Sequence, residues 1–300
     1  PGIMLAGAMR AYANRWATAV GDRIAIFANN DDAHRTAHDL HQLGVEIAVV
    51  IDSRPEAPAS DSFEVLAASE VVNTHGRMGL NSIEVKTPHG LRQIQVSGLG
   101  VSGGWNPNIH LTCHQRGRPE WDAALSAFVP SADLPKALHV AGAANGQMTT
   151  AAAIQDAVTT AMKIAIDCGR KPTSLAIPKT SDEAVSITPF WYVTGTERGW
   201  VDHQNDVTVK DIKLAHQENF RSVEHLKRYT TLGMATDQGK TSNVLGLAIM
   251  AHTAGQSIPD TGTTIYRPPY SPTAIGVLAG RSRDMDFRPI RKTPSHKWAE

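Results

Sequence analysis

The sequence predicts an α/β protein that is followed by a small helical module. A strand–helix–strand pattern runs from Ile24 to Asp52, and its short connections are typical of a parallel pair of strands. An apolar segment, a Gly-Ala loop and an Ala-rich helix follow over residues 137–165, as in a second unit of this type. Helical segments between Thr208 and about Gly255 predict the module.

The composition is that of a globular protein of one large domain or two to three ordinary ones. Formal neutrality does not favour a nucleic-acid partner, and no apolar run approaches the about 18 residues that a membrane span needs. Cys113 and Cys168 cannot form a disulfide framework, so we expect a cytoplasmic location. The start at Pro1 and the basic, proline-containing residues 281–300 indicate a piece of a longer polypeptide, with processing as the alternative.

The individual elements follow from periodicity. Apolar residues at helical spacing predict a helix over residues 3–18, and buried-type strands are predicted at Ile24–Ala28 and up to Asp52, with Gly44 ending the helix between them. Two alternating segments around a Pro-His-Gly turn predict a hairpin over residues 82–99. Residues 22–120 are therefore expected to form one nucleotide-binding type of domain.

The first strand-to-helix turn carries Asn29, Asn30, Asp31 and Asp32 where a dinucleotide fingerprint would place G-x-G-x-x-G. The two carboxylates favour the helix start but repel a pyrophosphate. This turn is therefore expected to have kept the fold without the phosphate site.

Two histidine groups are candidates for metal binding. His34, His38 and His41 stand four and three residues apart on one predicted helix face, and His110, Cys113 and His114 form a second group. Zinc sites normally add ligands from other segments, so a solvated or domain-edge position is the favoured alternative and no metal site is predicted.

The stretch Val140–Gly146 predicts the end of a strand, a loop of small residues and a helix start. Small residues let a ligand approach backbone amides, so the candidates for binding a dinucleotide are Gly142, Ala143, Ala144, Asn145 and Gly146. A tight packing turn is the alternative. The loop resembles the A-G-D-x-x-G motif of flavoprotein reductases, whose Asp binds FAD. Ala143 stands in its place, which favours a different dinucleotide.

The helical module has recognisable end signals. Thr208 with Asp211 is close to a capping box, Ser222 is a predicted N-cap, and Gly233 fits a C-cap. The pattern resembles [2Fe–2S] modules related to bacterioferritin-associated ferredoxin. Asp202 and Gln204 align with the first cysteine pair, and the second pair falls in residues 236–243. Without thiolates no iron–sulfur cluster is expected.

Cationic and hydroxyl side chains near the last helix start of the module are candidates for binding a phosphate: Lys227, Arg228, Lys240, Thr241 and Ser242. The stretch is not a P-loop, because its upstream glycine is absent. A capped helix with a solvated cationic rim is the alternative.

Together these stretches resemble the alpha subunit of heterotetrameric sarcosine oxidase. The resemblance is carried by "PGIMLAGAMRAY", "IFANNDDAHRTA", "SGGWNPNIHLTCH", "VAGAANG", residues 201–243 and "GTTIYRPPYSPTAIGVLAGR". It implies oxidative demethylation of sarcosine to glycine with O2, giving hydrogen peroxide and, with tetrahydrofolate, 5,10-methylenetetrahydrofolate. It also implies bound NAD, and FMN at the interface with the beta subunit, whose phosphate the five candidate phosphate ligands would hold. Gamma and delta subunits are implied as further partners. No catalytic residue is assigned to these 300 residues.

The resemblance also implies a domain organisation like that of disulfide reductases. Residues 1–21 and 121–168 would be parts of a split dinucleotide-binding domain, with residues 22–120 inserted between them. Residues 169–198 would be a linker, 199–256 the ferredoxin-like module without cysteines, and 257–300 a connector toward a folate-binding domain. A non-catalytic assembly module and an opine or N-methyl amine dehydrogenase alpha subunit are the alternatives.

Overall fold

The computed structural model describes residues 1–173, 175–181, 183–195, 198–267, 270–271, 273–282 and 290–300. Parts of the expected linker and connector therefore lie outside the described residues. The strands are β1 (Ile3–Leu5), β2 (Arg23–Ala28), β3 (Glu46–Asp52), β4 (Val65–Leu66), β5 (Glu70–His75), β6 (Ser82–Thr87), β7 (Gly90–Gln95), β8 (Gly98–Ser102), β9 (Glu120–Asp122), β10 (Ala127–Val129), β11 (Trp200–Asp202) and β12 (Val207–Thr208). The helices are α1 (Ala6–Trp16), α2 (Asp31–Gln42), α3 (Thr150–Asp167), α4 (Val209–Gln217), α5 (Val223–Thr230), α6 (Asn243–Ala254), α7 (Ile258–Thr261), α8 (Ile275–Ala279) and α9 (His296–Ala299).

A parallel sheet in the order β1–β8–β2–β3–β4 forms the centre of the α/β part. One face packs against α1 and α2 through a core that includes Ile24, Ile26 and Leu40. The other face packs against the antiparallel sheet β5–β6–β7 through Val49, Ile51 and Ile83. Burial on both faces explains the continuous apolar runs of β2 and β3. The strand–helix–strand unit and the hairpin of β6 and β7 confirm those sequence predictions.

The first residues of the chain join this sheet. Strand β1 pairs in parallel with β8, with Ile3 opposite Leu99. Helix α1 lies against β8, where a Cβ on Gly100 would come within 3.1 Å of the sulfur of Met9 and 3.3 Å of the Cβ of Ala6. The absence of a side chain at Gly100 thus makes room for α1. Residues 3–16 thus pack with the α/β unit expected at residues 22–120.

Residues 129–168 contain no buried residue, although Ala127 and Phe128 of β10 just before them are buried. The strand expected before Gly142 does not form, because no described strand lies beside residues 137–141 to pair with them. Helix α3 forms as predicted, but none of its residues is buried. The α3 surface is therefore largely exposed within the described part of the chain.

The module consists of α4, α5, α6 and the short ladder of β11 with β12 around a core that includes Val207, Ile212, Leu226 and Ile249. Asp211 accepts hydrogen bonds from the backbone N–H of Thr208 at 2.8 Å and from its hydroxyl at 2.7 Å, and the Ser222 side chain caps α5. Both N-terminal signals are confirmed. The C-cap prediction for Gly233 is wrong, since Thr231 is the left-handed residue that ends α5.

Described aromatic residues of the expected linker and connector pack into hydrophobic cores. Trp191 and Tyr192 pack against the core of the module. Tyr266 and Tyr270 are buried in a further core with Ile109 and Leu247. Aromatic side chains from both segments therefore help to join the α/β part to the module. No helix among the described residues is long and apolar enough to cross a bilayer.

Candidate functional site

A cleft of about 680 Å³ lies beyond the carboxyl ends of β2 and β8. Open parallel sheets generally bind ligands at this edge, because the loops that follow the strands meet there. Five parts of the chain contribute to the cleft lining: the middle of α1, the start of α2, the loop after β8, the Gly-Ala loop before α3, and the segment before Phe190. Lys240 and Tyr270 complete the lining from the module side.

The start of α2 is satisfied by groups of the chain itself. Asn30 is the N-cap residue, and its side-chain oxygen accepts from the N–H of Ala33 at 3.2 Å. The N–H of Asp31 donates to the carbonyl oxygen of Ser186 at 3.0 Å. A carbonyl dipole thus occupies the place where an anion would meet this helix.

We call residues 183–188 the crossing segment. Its Thr188 N–H donates to the carbonyl of Asn29 at 3.0 Å, and the Asn29 side-chain amide donates to the carbonyl of Thr188 at 2.9 Å. Ile187 forms an isolated antiparallel bridge with Asn30. The crossing segment therefore lies directly over the first strand-to-helix turn.

A buried network of charged side chains contacts the first strand-to-helix turn. The carboxylate of Asp52, which is fully buried, accepts from Nη2 of Arg54 at 2.8 Å and contacts Nε2 of His34 at 2.7 Å. Arg54 also donates to Asp31 at 2.8 Å. Burial opposes ionisation of Asp52, but the bonds from His34 and Arg54 outweigh it and hold its pKa below the ordinary 3.8. The network fixes the first turn of α2 to the end of β3.

The Gly-Ala loop forms a 3-10 turn over Gly142–Asn145. The N–H of Gly142 donates to Asp156 at 2.9 Å, and the side-chain amide of Asn145 donates to the same carboxylate oxygen at 3.2 Å. Gly142 and Gly146 have φ angles of 69° and 78°, which favour glycine. Because Asp156 uses the Gly142 amide, the loop presents Ala143 and Ala144 to the cleft.

The start of α3 is also engaged within the chain. The hydroxyl of Thr149 accepts from the N–H of Ala152 at 3.1 Å, and the carboxylate of Glu183 accepts from the N–H of Thr150 at 2.9 Å. A second contact joins the Thr150 hydroxyl to Glu183. These bonds hold the pKa of Glu183 below its ordinary value. The crossing segment thus connects the starts of α2 and α3.

Aromatic and cationic groups meet at the module side of the cleft. The ammonium of Lys240 lies 4.6 Å from the ring centre of Tyr270, and the His110 ring stacks on Tyr270 at 4.6 Å. Burial, together with the charges of His114 and Lys240, lowers the pKa of His110. Burial and the neighbouring Tyr266 raise the pKa of Tyr270. The imidazole and the phenol are therefore neutral near pH 7, and Lys240 carries the positive charge.

The structure separates the five candidate phosphate ligands. Lys240 lines the cleft, whereas Lys227 and Arg228 line a second depression of about 610 Å³ together with Arg267. Thr241 is exposed. Ser242 is 1% exposed, and its hydroxyl has no hydrogen-bond partner among the described residues. Only Lys227 and Arg228 therefore lie together, and Ser242 is closed to a ligand.

The second depression is rich in positive charge. Burial lowers the pKa of Lys227, and the charges of Arg267 and Arg228 lower it further, although Glu224 acts in the opposite direction. Arg228 pairs with Glu224 at 2.8 Å. Three cations next to one carboxylate among the described lining residues form a donor set suited to an anion.

Asp202 and Gln204, which the sequence led us to align with a cysteine pair, take part in hydrogen bonds between loops. Asp202 is buried, and its carboxylate accepts from the backbone N–H groups of Gly233, Gln204 and Asn205 at 2.8, 2.9 and 3.1 Å. The hydroxyl of Thr236 lies 3.3 Å from the side-chain oxygen of Gln204. Hydrogen bonds thus connect the two loops of the module.

The histidine groups do not converge on a metal site. His34 is buried on Asp52, whereas the rings of His38 and His41 pack against Phe63 at 4.8 and 6.2 Å, so the three do not share one solvated face. Burial raises the pKa of the Cys113 thiol. No group of three or more potential metal ligands occurs among the described residues.

Among the residues that line the cleft, Trp105, Ser186 and Tyr270 were not identified from the sequence. Arg54, which donates to the carbonyl of Ser186 at 3.3 Å, was not identified either. Trp105 follows two glycines after an apolar strand, which is a local signal for an exposed aromatic residue in a loop. Ser186 acts through its backbone carbonyl and leaves no signal in the sequence.

Comparison with known proteins places these features in a family. Residues 196–281 match the family model described as the sarcosine oxidase A3 domain. The chain is 40% identical over 305 residues to "Sarcosine oxidase subunit alpha" of Rhizobium meliloti (strain 1021), covering 100% of this chain and 31% of that protein. It is 36% identical over 323 residues to the protein of the same name from Corynebacterium sp. (strain U-96), covering 99% and 33%. The chain thus spans about a third of the length of these relatives.

Among solved structures, L-proline dehydrogenase from P. horikoshii aligns with 93% of this chain and 54% of its own, with a TM-score of 0.66 and 17% identity. At that identity the likeness shows the fold alone. The sequence comparisons confirm the resemblance to sarcosine oxidase alpha subunits, and the structural one supports the α/β architecture.

Proposed function

We propose that this chain, which belongs to the family of sarcosine oxidase alpha subunits, is a cofactor-holding part of such a subunit. The complete enzyme would be an oxidoreductase that converts sarcosine and O2 to glycine and hydrogen peroxide, and passes the methyl carbon to tetrahydrofolate. The tetrahydrofolate site would lie in a further domain of the subunit. Beta, gamma and delta subunits would be the partners, and the cytoplasm the location.

The cleft is our proposed site for NAD. Its volume of about 680 Å³ is in the range of cofactor pockets. Ala143 and Ala144 permit close approach of a ligand, and Lys240 supplies a cation for a phosphate. The crossing segment already satisfies the starts of α2 and α3, so the pyrophosphate would lie along the cleft and not at either helix start.

The second depression is our proposed site for the phosphate of FMN. Lys227, Arg228 and Arg267 line it, and the pKa of Lys227 is lowered first by burial and then by the two neighbouring cations. A bound phosphate would relieve that repulsion. The beta subunit would cover the rest of the flavin. This proposal keeps Lys227 and Arg228 as phosphate ligands and transfers Lys240 to the NAD site.

The flavins supply the electron chemistry of the complex when bound, and this chain supplies binding and orientation. The Gly-Ala loop shapes the cleft wall, and the stack of His110, Tyr270 and Lys240 excludes water from its inner end. The module serves as scaffold beside the cofactors. Its Asp202 connects the loops that cluster thiolates would connect in a ferredoxin-like module.

The observation that carries the proposal is the convergence of the Gly-Ala loop, the sheet edge and Lys240 on one cleft. Its test is the cofactor content of the full-length native subunit purified with its partners. Denaturation followed by mass spectrometry should release NAD and flavin, and a parallel assay should find no iron attributable to this subunit. Absence of both cofactors would move the weight to a non-catalytic assembly module.

A further inference from the structure

Trp105 is a large aromatic side chain whose position is not explained by packing. It is 62% exposed, and it lines the same cleft as Ala143 and Ala144. Burying an indole normally contributes a large apolar area to a core, so an exposed one at a cleft is available for a ligand. The proposed function assigns it no role.

The indole is nevertheless held in place at two points. Its Nε1–H donates to the carboxylate of Asp32 at 2.8 Å. Its opposite edge lies over α1, where a Cβ on Gly7 would be 3.4 Å from Cη2. Asp32 is itself paired with Arg35 and, at 3.7 Å, with Arg10. The ring therefore has a fixed orientation without being buried.

The backbone before Trp105 is also constrained. Gly104 has a φ of 102°, and a Cβ there would lie 2.3 Å from Cδ1 of Ile187 in the crossing segment. The left-handed conformation favours glycine, and any side chain here would also displace the end of the Ile187 side chain. Contact with the crossing segment thus fixes the position of the backbone just before Trp105.

We propose that Trp105 is the platform on which a heteroaromatic ring of the bound dinucleotide stacks. This inference rests on the proposed function and adds a binding residue to it. A fixed aromatic face binds any planar base through stacking. Arg10 and Arg35 line the cleft, and both pair with Asp32, the carboxylate that accepts the indole N–H. Two cations therefore lie near the ring, where they could pair with the phosphates of a nucleotide.

The test uses the full-length native enzyme and three variants: Trp105→Ala, Trp105→Phe and Trp16→Ala. Trp16 is a matched control because it is 60% exposed on α1 and is not among the described lining residues of the cleft. NAD retained after dialysis, and the Kd of re-added NAD, would be measured for each. We expect Trp105→Ala to raise the Kd about tenfold or more, and Trp105→Phe to raise it much less, since phenylalanine keeps a stacking face.

Fluorescence provides a readout that a structural role would not move. NAD should quench the tryptophan emission of the wild type and of Trp16→Ala, and most of that quench should be lost in Trp105→Phe. AMP and nicotinamide mononucleotide, tested separately, identify which ring stacks, because only the cognate fragment should reproduce the quench.

The outcomes separate the two proposals. If the wild type binds NAD and Trp105→Ala binds it equally tightly, the platform is refuted and the proposed function stands. A wild-type enzyme that neither retains nor takes up NAD overturns both. A quench that persists in Trp105→Phe also overturns the platform, since another tryptophan would then report the ligand.

Discussion

The carboxylate of Asp202 accepts the backbone N–H of Gly233 at 2.8 Å, across 31 residues of the chain. The same carboxylate accepts from Gln204 and Asn205 in its own turn. In this chain one buried carboxylate therefore joins the two loops. Burial disfavours the charge on Asp202, but the three backbone donors hold its pKa below 3.8.

We predict that Asp202→Asn destabilises the module by about 1–3 kcal/mol, because the charge-assisted bonds are lost and an amide N–H now faces backbone donors. Faster amide hydrogen exchange around Gly233 in the full-length enzyme would show it. Asp206→Asn is the matched control, since it makes the same chemical change at an exposed position of the same turn. Equal exchange in the two variants would contradict the structural role of Asp202.

The lowered pKa of Asp202 predicts that the stability of the module depends on pH. Its pKa is lower in the folded chain than the ordinary 3.8, so its contribution to stability is present above that value and is lost as the pH falls through the folded pKa. The wild-type enzyme should therefore lose module stability on acidification below about pH 4, and Asp202→Asn should lose less. Thermal unfolding midpoints between pH 5 and pH 2.5 measure this. Parallel curves would rule out Asp202 as a contributor.

The buried network predicts a large effect at Asp52. Asp52→Asn removes the buried charge that Arg54 pairs with and leaves Arg54, among the described residues, only its ion pair with Asp31. Because breaking a buried pair typically costs about 3–5 kcal/mol, we expect a loss toward the lower end of that range. The free energy of unfolding of the α/β part, measured by denaturant titration of the full-length enzyme, should fall accordingly.

Glu46→Gln is the control for this change. Glu46 pairs with Arg23 at 2.7 Å, but its side chain is 63% exposed, and an exposed pair contributes at most about 1 kcal/mol. If the Asp52 and Glu46 variants lose the same stability, the network does not carry the support assigned to it.

The positions of the two cationic sites predict that mutations can reduce NAD and FMN retention separately. Lys227→Ala combined with Arg228→Ala should reduce FMN retention and leave NAD content unchanged, whereas Lys240→Ala should do the reverse. Each removes a cation from only one of the two cavities. Mass spectrometry of the cofactors released from each purified complex measures both. Loss of FMN in Lys240→Ala with normal NAD would return Lys240 to the flavin site.

Some parts of this architecture can be predicted from the sequence, and the physical reason differs from one element to another. Continuous apolar runs predict β2 and β3 because both faces of that sheet are buried. The crossing segment leaves no such signal, since Ser186 and Thr188 accept hydrogen bonds through backbone carbonyls that any residue possesses. The pairing of β1 was also hidden, because the three residues of Ile3–Leu5 are too few for a period to appear.

The separation of Lys240 from Lys227 depends on the turns between them. Left-handed residues at Thr231, Gly233, Gln238 and Gly239 redirect the chain there. Periodicity describes regular elements and gives no direction for such turns. A cluster of cations in the sequence could therefore be recognised, but not its division between two cavities.

The conformation of the Gly-Ala loop predicts that one methyl group added at Gly142 reduces NAD retention. Gly142→Ala places a side chain at a φ of 69°, which costs about 1–2 kcal/mol for an L-residue and shifts the loop that presents Ala143 and Ala144. NAD retention should fall. Gly169→Ala is a close control, because Gly169 also has a φ of 69°, no atoms lie within 4 Å of its Cβ position, and it follows the distant end of α3. Both variants should lose similar stability, but only Gly142→Ala should lose NAD on dialysis. Equal NAD retention in the two would show that the loop does not contact the dinucleotide.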